Sequence, residues 1–204
     1  MKLYYAPGAC SQSPHIVARE AGIELQLEKV DLKAKRTESG RDYLEINPKG
    51  YVPALELDDG QVLTEGPAIV QYLADLRPEA QLAPAHGTLE RVRLQEMLGY
   101  VNSELHKTYT PLFKPATPAE VREERKAYLR QRYELVERRL AERPYLSGER
   151  FGVADAYLFV VTNWAGAVGL DLGGFDALAA FQRRVAERPA VQAALRAEGL
   201  AKAA

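Results

Sequence analysis

The chain has 204 residues, of which 47% are hydrophobic and 27% charged, with a formal net charge of −1. That length fits one large domain or two small ones, the composition is that of an ordinary globular protein, and the charge gives no reason to expect nucleic acid or an acidic membrane as a partner. No apolar run approaches the roughly 18 residues of a membrane span, and the opening MKLYYAPGAC lacks the apolar core of a signal peptide. We therefore expect a cytoplasmic protein with no membrane partner. In a reducing compartment the single cysteine, Cys10, forms no internal disulfide, and a lone cysteine builds no zinc site, so no metal is expected. Packing or reactivity remains.

The chain changes character near residue 80. Lys2–Ala6 reads as a strand and Ser13–Ala21 as a helix stopped by Gly22. Leu25–Val30 alternates in the strand manner, and Val52–Leu57 is a further strand. The turn dipeptide Asp59-Gly60 leads into Gln61–Leu63, which predicts a hairpin. Pro67–Leu76 reads as a closing helix, with proline in the first turn where its missing N–H does no harm. Residues 78–87, rich in Pro and Ala, look like a linker, and everything after them is helical. Leu89–Leu105 and Glu120–Arg143 have apolar residues at threes and fours. Val153–Val168 is nearly all apolar and predicts a buried central helix, followed by short helices over Asp176–Arg188 and Ala190–Glu198. Residues 1–80 hold 9 Lys+Arg against 13 Asp+Glu, and the remainder 18 against 15. Opposite signs of −4 and +3 could help two subunits meet head to tail, although surface charge of this size is usually just solvation.

Four places can carry chemistry. Cys10 follows a strand and precedes a helix, where unpaired N–H groups and the helix dipole favour thiolate, the reactive form. A buried cysteine packing as a small hydrophobe is the alternative, but Pro7-Gly8-Ala9 before it and Ser11-Gln12-Ser13-Pro14 after it describe a loop and cap rather than a core. A cis Val52-Pro53 bond would turn the Val52 backbone toward an extended peptide ligand, although only about 5–6% of X–Pro bonds are cis. Glu65-Gly66 stands at a helix start, where backbone N–H groups accept a carboxylate and Glu65 can pair with an ammonium or simply complement the dipole. Ser103, His106 and Lys107 are three and four apart and share a helix face that Gly99 and Asn102 extend, although a lone histidine is more often structural. Trp164 reads as core.

Taken together, CSQSPH, NPKGYVPAL and TEGPAIVQYLAD, in this order and spacing, resemble the cytosolic glutathione transferases. Cys10 and the Glu-Leu-His-Lys at 104–107 make the chain similar to the bacterial beta class, and the similarity continues through ERPYLSGERFGVADAYLF to RPAVQAAL. The resemblance implies a thioredoxin-like α/β domain over 1–80 that binds glutathione, a linker over 81–87, and an all-α helical-bundle domain over 88–204 that contributes the electrophile site. It implies that Pro53 is cis and that the Val52 backbone pairs with the cysteinyl part of glutathione. It implies that Glu65 and Gly66 hold the γ-glutamyl end, and that Lys35 approaches the glycyl carboxylate. Many relatives carry serine where this chain has Gly66, so a hydroxyl is lost. Cys10 would face the glutathione sulfur with His106 nearby, while Ser103 and Lys107 would complete the glutathione contacts. Tyr5 and Ser11 would stand behind. Relatives usually carry Ser or Thr three residues before the match to Asp155; this chain has Gly152, which leaves half of a capping box.

The function so implied is conjugation of the thiol of reduced glutathione, as co-substrate, to small hydrophobic electrophiles by a homodimer serving detoxification. Two readings compete with it. One is a glutathione-dependent disulfide reductase, since Cys10-Ser-Gln-Ser resembles a redox motif with its second cysteine replaced. The other is a non-catalytic binding protein for glutathione or a hydrophobic ligand.

Overall fold

The structure, a computed structural model, describes residues 1–200 and divides into two compact units: Met1–Ala83 together with the chain from Glu187 on, and Pro84–Ala186.

In the first unit a five-stranded sheet has the order β3-β2-β1-β4-β5. Strand β1 (Lys2–Tyr5) runs parallel to β2 (Gln26–Asp31), and helix α1 (Gln12–Glu20) makes the crossover that parallel neighbours require. The predicted hairpin is present: β4 (Ala54–Glu56) pairs antiparallel with β5 (Val62–Thr64), and β4 also pairs antiparallel with β1. Two elements were not expected. They are the two-residue β3 (Arg36–Thr37), paired with the end of β2, and the single-turn helix α2 (Tyr43–Ile46), capped by Asp42 accepting from the Leu44 N–H at 2.9 Å. Side chains alternate along β1. Tyr4 joins Val30, Tyr43, Ile46, Val52 and Ala54 in a core on one face, while Leu3, opposite Leu55, is fully buried on the other. Helix α3 (Gly66–Asp75) packs on α1.

The last helix (Pro189–Ala197, α10 below) also packs on α1, whereas the sequence places everything after residue 87 in the helical domain. The reason is a buried polar junction. Glu198, at the end of this helix, accepts from the Gly8 N–H and Gln12 Nε2, both at 3.1 Å, and meets His15 Nδ1 at 2.8 Å. His15 Nε2 in turn accepts from Arg19 Nε at 2.8 Å, and Arg188 forms a two-pronged pair with Glu20. Apolar periodicity shows that a helix is amphipathic but not which surface receives it.

The second unit is all-helical. Helix α4 (Leu89–Tyr100) passes directly into a π-helical turn, Val101–His106, then α5 (Lys107–Tyr109) and a 3₁₀ turn, Thr110–Phe113. Helix α6 (Ala119–Glu142) packs on α9 (Asp176–Ala186), whose first N–H groups, at Ala177 and Leu178, are taken by the Glu137 carboxylate. The apolar central segment is two helices, α7 (Val153–Thr162) and α8 (Trp164–Val168). Every residue of α7 is buried.

Asp155, fully buried, caps α7. One carboxylate oxygen accepts from the Gly152 N–H and the other from the Leu146 N–H, both at 2.8 Å. Gly152 has no side chain to return the bond, so the cap rests on Asp155 alone. Asp155→Ala strips two buried N–H groups of a charged acceptor, each bond being worth about 1.5–3 kcal/mol. We expect a loss of at least about 3 kcal/mol, or a fall of roughly 6 °C or more in the melting temperature followed by circular dichroism. An unchanged melt would show that the carboxylate does not hold this helix.

Candidate active site

The candidates of the first unit converge on one short segment, 49–53. The Val52-Pro53 bond is cis. The Val52 carbonyl accepts from Cys10 Sγ at 3.2 Å, and among the described residues no backbone partner takes the Val52 N–H. Pro53 reaches the start of α3, where a Cβ built on Gly66 would meet its ring at 3.9 Å. The Tyr51 phenol and Lys49 Nζ both donate to Glu65 Oε1 at 2.7 Å, and Lys49 Nζ also donates to Thr64 Oγ1 at 2.8 Å. Lys35 Nζ donates to the Gly50 carbonyl at 2.6 Å. Gly50 has φ +69°, and a Cβ there would crowd Leu44 at 3.1 Å, so any side chain at this position is strained.

The segment is held from beneath. Its central carbonyl, of Tyr51, accepts from the buried Tyr43 phenol at 3.0 Å and from buried Asn47 Nδ2 at 2.7 Å. Burial pushes the Tyr43 phenol up to about 12, so it stays a donor. Asn47 Oδ1 takes the Lys49 N–H at 3.1 Å. Bonding to Glu65 raises both Lys49 and Tyr51 above their ordinary values.

Among the described residues only Lys35 (φ +55°), Glu65 (φ +69°) and Gln81 are non-glycine residues with positive φ. Such conformations cost roughly 1–3 kcal/mol and persist where surrounding contacts hold them, often at functional sites. Two of the three are candidate site residues. Glu65 also opens α3: its carbonyl takes the Ala68 and Ile69 N–H groups, both at 3.0 Å, and Pro67 has none to give. Among the described residues the Gly66 N–H has no backbone acceptor, which leaves it as a donor at the positive end of this helix.

Cys10 is half-buried, one residue before the Ser11 cap of α1. The first N–H groups of α1 are taken by carbonyls: Gln12 by Ala9, Ser13 by Cys10 and His15 by Ser11. Its bond to the Val52 carbonyl is one that only the protonated thiol makes. The Ser11 hydroxyl braces the loop, accepting from the Ala6 N–H at 3.1 Å and donating to the Ala6 carbonyl at 3.3 Å. Tyr5 is buried, and burial raises its phenol.

In the second unit, His106 closes the π turn, in which the Lys107 N–H reaches back to the Asn102 carbonyl. Bonds of this i→i+5 kind widen the turn, so the α-helical spacing read for Ser103, His106 and Lys107 does not hold across it. Ser103 is exposed, with its hydroxyl on the Gly99 carbonyl at 2.9 Å; Lys107 is exposed and His106 half-buried. His106 Nδ1 is hydrogen-bonded to the Tyr157 hydroxyl, and its ring lies edge-on to Trp164 at 4.9 Å. Trp164 is only partly buried, in contact with Tyr109 and Phe113 rather than lost in the core. Sequence reasoning missed Tyr157, Tyr43, Asn47 and Tyr51. No single-residue signal marks them, since each acts by where its hydroxyl, amide or carbonyl falls. Among the described residues no cluster of His, Cys, Asp or Glu could hold a metal ion.

A thioredoxin-like unit with a cis-proline loop against a helix N-terminus, in one chain with an all-helical unit, is the architecture of a glutathione transferase. Residues 8–76 match the glutathione S-transferase N-terminal domain, and 100–189 the C-terminal domain. The chain is 52% identical to the glutathione S-transferase GstA of Escherichia coli O157:H7, over 98% of this chain and 100% of the relative. It superposes with a TM-score of 0.97 on the ternary complex of BphK, a bacterial GST, at 57% identity, covering 98% and 100% of the two chains. With the beta-class enzyme of Sphingomonas chungbukensis the TM-score is 0.95, at 45% identity and the same coverage. The chain belongs to the glutathione S-transferase family, and its resemblance to the beta class holds in structure.

The support beneath segment 49–53 is redundant, which gives a prediction. Tyr43→Phe leaves Asn47 on the Tyr51 carbonyl and should cost about 0.5–1.5 kcal/mol. Combining it with Asn47→Ala removes both of these donors from the carbonyl, so the pair should cost more than the sum of the single variants. Strictly additive values in urea denaturation would show that the two donors do not share this acceptor.

Proposed function

We propose that the protein conjugates the thiol of reduced glutathione to small hydrophobic electrophiles, and that glutathione lies along segment 49–53. The observation that carries this is that one segment touches Cys10, Lys35, Glu65 and Gly66 while presenting the Val52 N–H. An extended peptide needs a backbone donor and acceptor at its centre and charges at its ends. Val52 supplies the first, with its carbonyl exchanging the Cys10 thiol for the ligand. Glu65 takes the γ-glutamyl ammonium, while the Gly66 N–H and the α3 dipole take the adjoining carboxylate. Lys35 takes the glycyl carboxylate. Cys10 stands by the glutathione sulfur, His106 accepts its proton, and Ser103 and Lys107 add polar contacts from the second unit. Tyr5 and Ser11 hold the β1–α1 loop.

The thiolate then attacks an electrophilic carbon, and the electron pair of the broken bond leaves with halide or a similar group. The aromatic group of Trp164, Tyr109 and Phe113, the last half-exposed, supports an apolar electrophile site in the helical unit. We further propose a cytoplasmic detoxification role. No helix among the described residues is long and apolar enough to cross a membrane. The half-buried single thiol supports a second activity, in which Cys10 attacks oxidised glutathione, forms a mixed disulfide and releases one reduced glutathione.

Glu65→Gln keeps the shape of the site and removes its charge. A lost charge-assisted bond of about 1.5–3 kcal/mol weakens glutathione roughly 10- to 150-fold in titration calorimetry, and equal affinities would exclude the anchor. Assays run in parallel separate the two activities. Cys10→Ala should abolish reduction of a mixed disulfide and leave turnover of an aryl halide only modestly slower, whereas turnover of neither substrate by the wild type would leave a binding protein. The protein should also sediment at micromolar concentration as a two-fold dimer, supported by the −4 and +3 charge split; a single-chain mass would remove that assembly.

A further inference from the structure

The hydrogen bonds around His106 define which of its nitrogens carries the proton. Tyr157, on the wholly buried α7 and itself 1% exposed, donates its hydroxyl to Asn102 Oδ1 at 2.9 Å. An amide oxygen can only accept, and a phenol has one proton. With that proton directed at Asn102, the phenol oxygen is left with lone pairs toward His106 Nδ1, so Nδ1 must be the donor of the bond between them. The neutral ring then carries its lone pair on Nε2. The same π turn supplies both ends of this chain, Asn102 and His106, so the widened turn and the phenol between its two residues form one unit. The Trp164 edge contact limits rotation of the ring.

We infer that Tyr157, oriented by Asn102, is a positioning residue that holds His106 as the Nδ1–H tautomer with Nε2 as the proton acceptor. The consequence for turnover rests on the proposed part of His106 in the reaction. There the S–H bond of glutathione breaks, the sulfur keeps the electron pair, and the proton forms an Nε2–H bond. The resulting imidazolium stays bonded through Nδ1–H to the Tyr157 oxygen, and the proton returns to solvent after the product leaves. With the opposite tautomer, Nε2 already carries hydrogen and accepts nothing.

The chain has only three histidines, His15, His86 and His106, so long-range ¹H–¹⁵N spectra of histidine-labelled protein resolve each ring, with His106→Asn assigning the signal. The wild type should show His106 as Nδ1–H. Tyr157→Phe removes the acceptor and should move the ring toward Nε2–H. Asn102→Ala, at a half-buried position outside the core, frees the phenol proton to turn toward Nδ1 and should move the ring the same way. An Nε2–H ring in the wild type, or one that neither variant alters, overturns the inference. In turnover of an aryl halide, Tyr157→Phe should lower kcat/KM by up to about tenfold, the worth of one neutral hydrogen bond, and have no further effect in a His106→Asn background. An equal loss in that background would mean Tyr157 acts on the fold and not through His106. If His106→Asn alone leaves turnover intact, the proposed role of His106 falls while the spectra still decide the tautomer.

Discussion

Two hydrogen bonds to one carbonyl, that of Tyr51, set the geometry on which the first unit depends. Tyr43 and Asn47 donate from beneath, from the single-turn helix α2 and the residue after it, both buried. With that carbonyl fixed, the residues on either side have little freedom. Lys49 and the Tyr51 phenol lie on Glu65, Gly50 lies under the Lys35 ammonium, Val52 offers its carbonyl to Cys10, and Pro53 meets Gly66. Five residues of loop thus connect the end of β5, the starts of α1 and α3, and Lys35. The strained backbones of Lys35 and Glu65 are held by the same contacts, which is the condition under which such conformations persist.

The second unit uses a different device. Its candidate residue, His106, sits in a π turn rather than a regular helix, and its side chain is oriented by a phenol from the most deeply buried helix of the unit. That helix is held in turn by a buried carboxylate at its start, Asp155, and packs on α4 and α9. The order of dependence runs from cap to central helix to phenol to imidazole. Each unit therefore carries its candidate residues on a loop or a distorted turn, braced by buried polar groups.

Much of this was legible in the residues. Alternation and the Asp59-Gly60 turn marked β1 and the β4–β5 hairpin, and Pro67 marked the start of α3 to within a residue. Motif order pointed to Cys10, Val52, Pro53, Glu65 and Gly66, and in the first unit Cys10, Glu65 and Gly66 lie against the segment that holds Val52 and Pro53. Elements of two or four residues, β3 and α2, are too short for periodicity to register, although α2 supplies Tyr43, one of the two donors to the Tyr51 carbonyl. The π turn was hidden because spacing was counted at α-helical pitch, so Ser103 was assigned the face of His106. The placement of α10 was hidden because its partner groups, Gly8, Gln12 and His15, lie far away in sequence. Trp164 looked like core because its neighbours are apolar; its ring instead stands beside His106.

The central claim is that segment 49–53 is the seat of glutathione, and a crystal structure of the protein with reduced glutathione tests it most directly. We expect the cysteinyl backbone paired with Val52, the γ-glutamyl end between Glu65 and the Gly66 N–H, and the sulfur beside Cys10, with the Val52 carbonyl no longer accepting the Cys10 thiol. Glutathione bound elsewhere, or bound with the Cys10–Val52 hydrogen bond still in place, would contradict it.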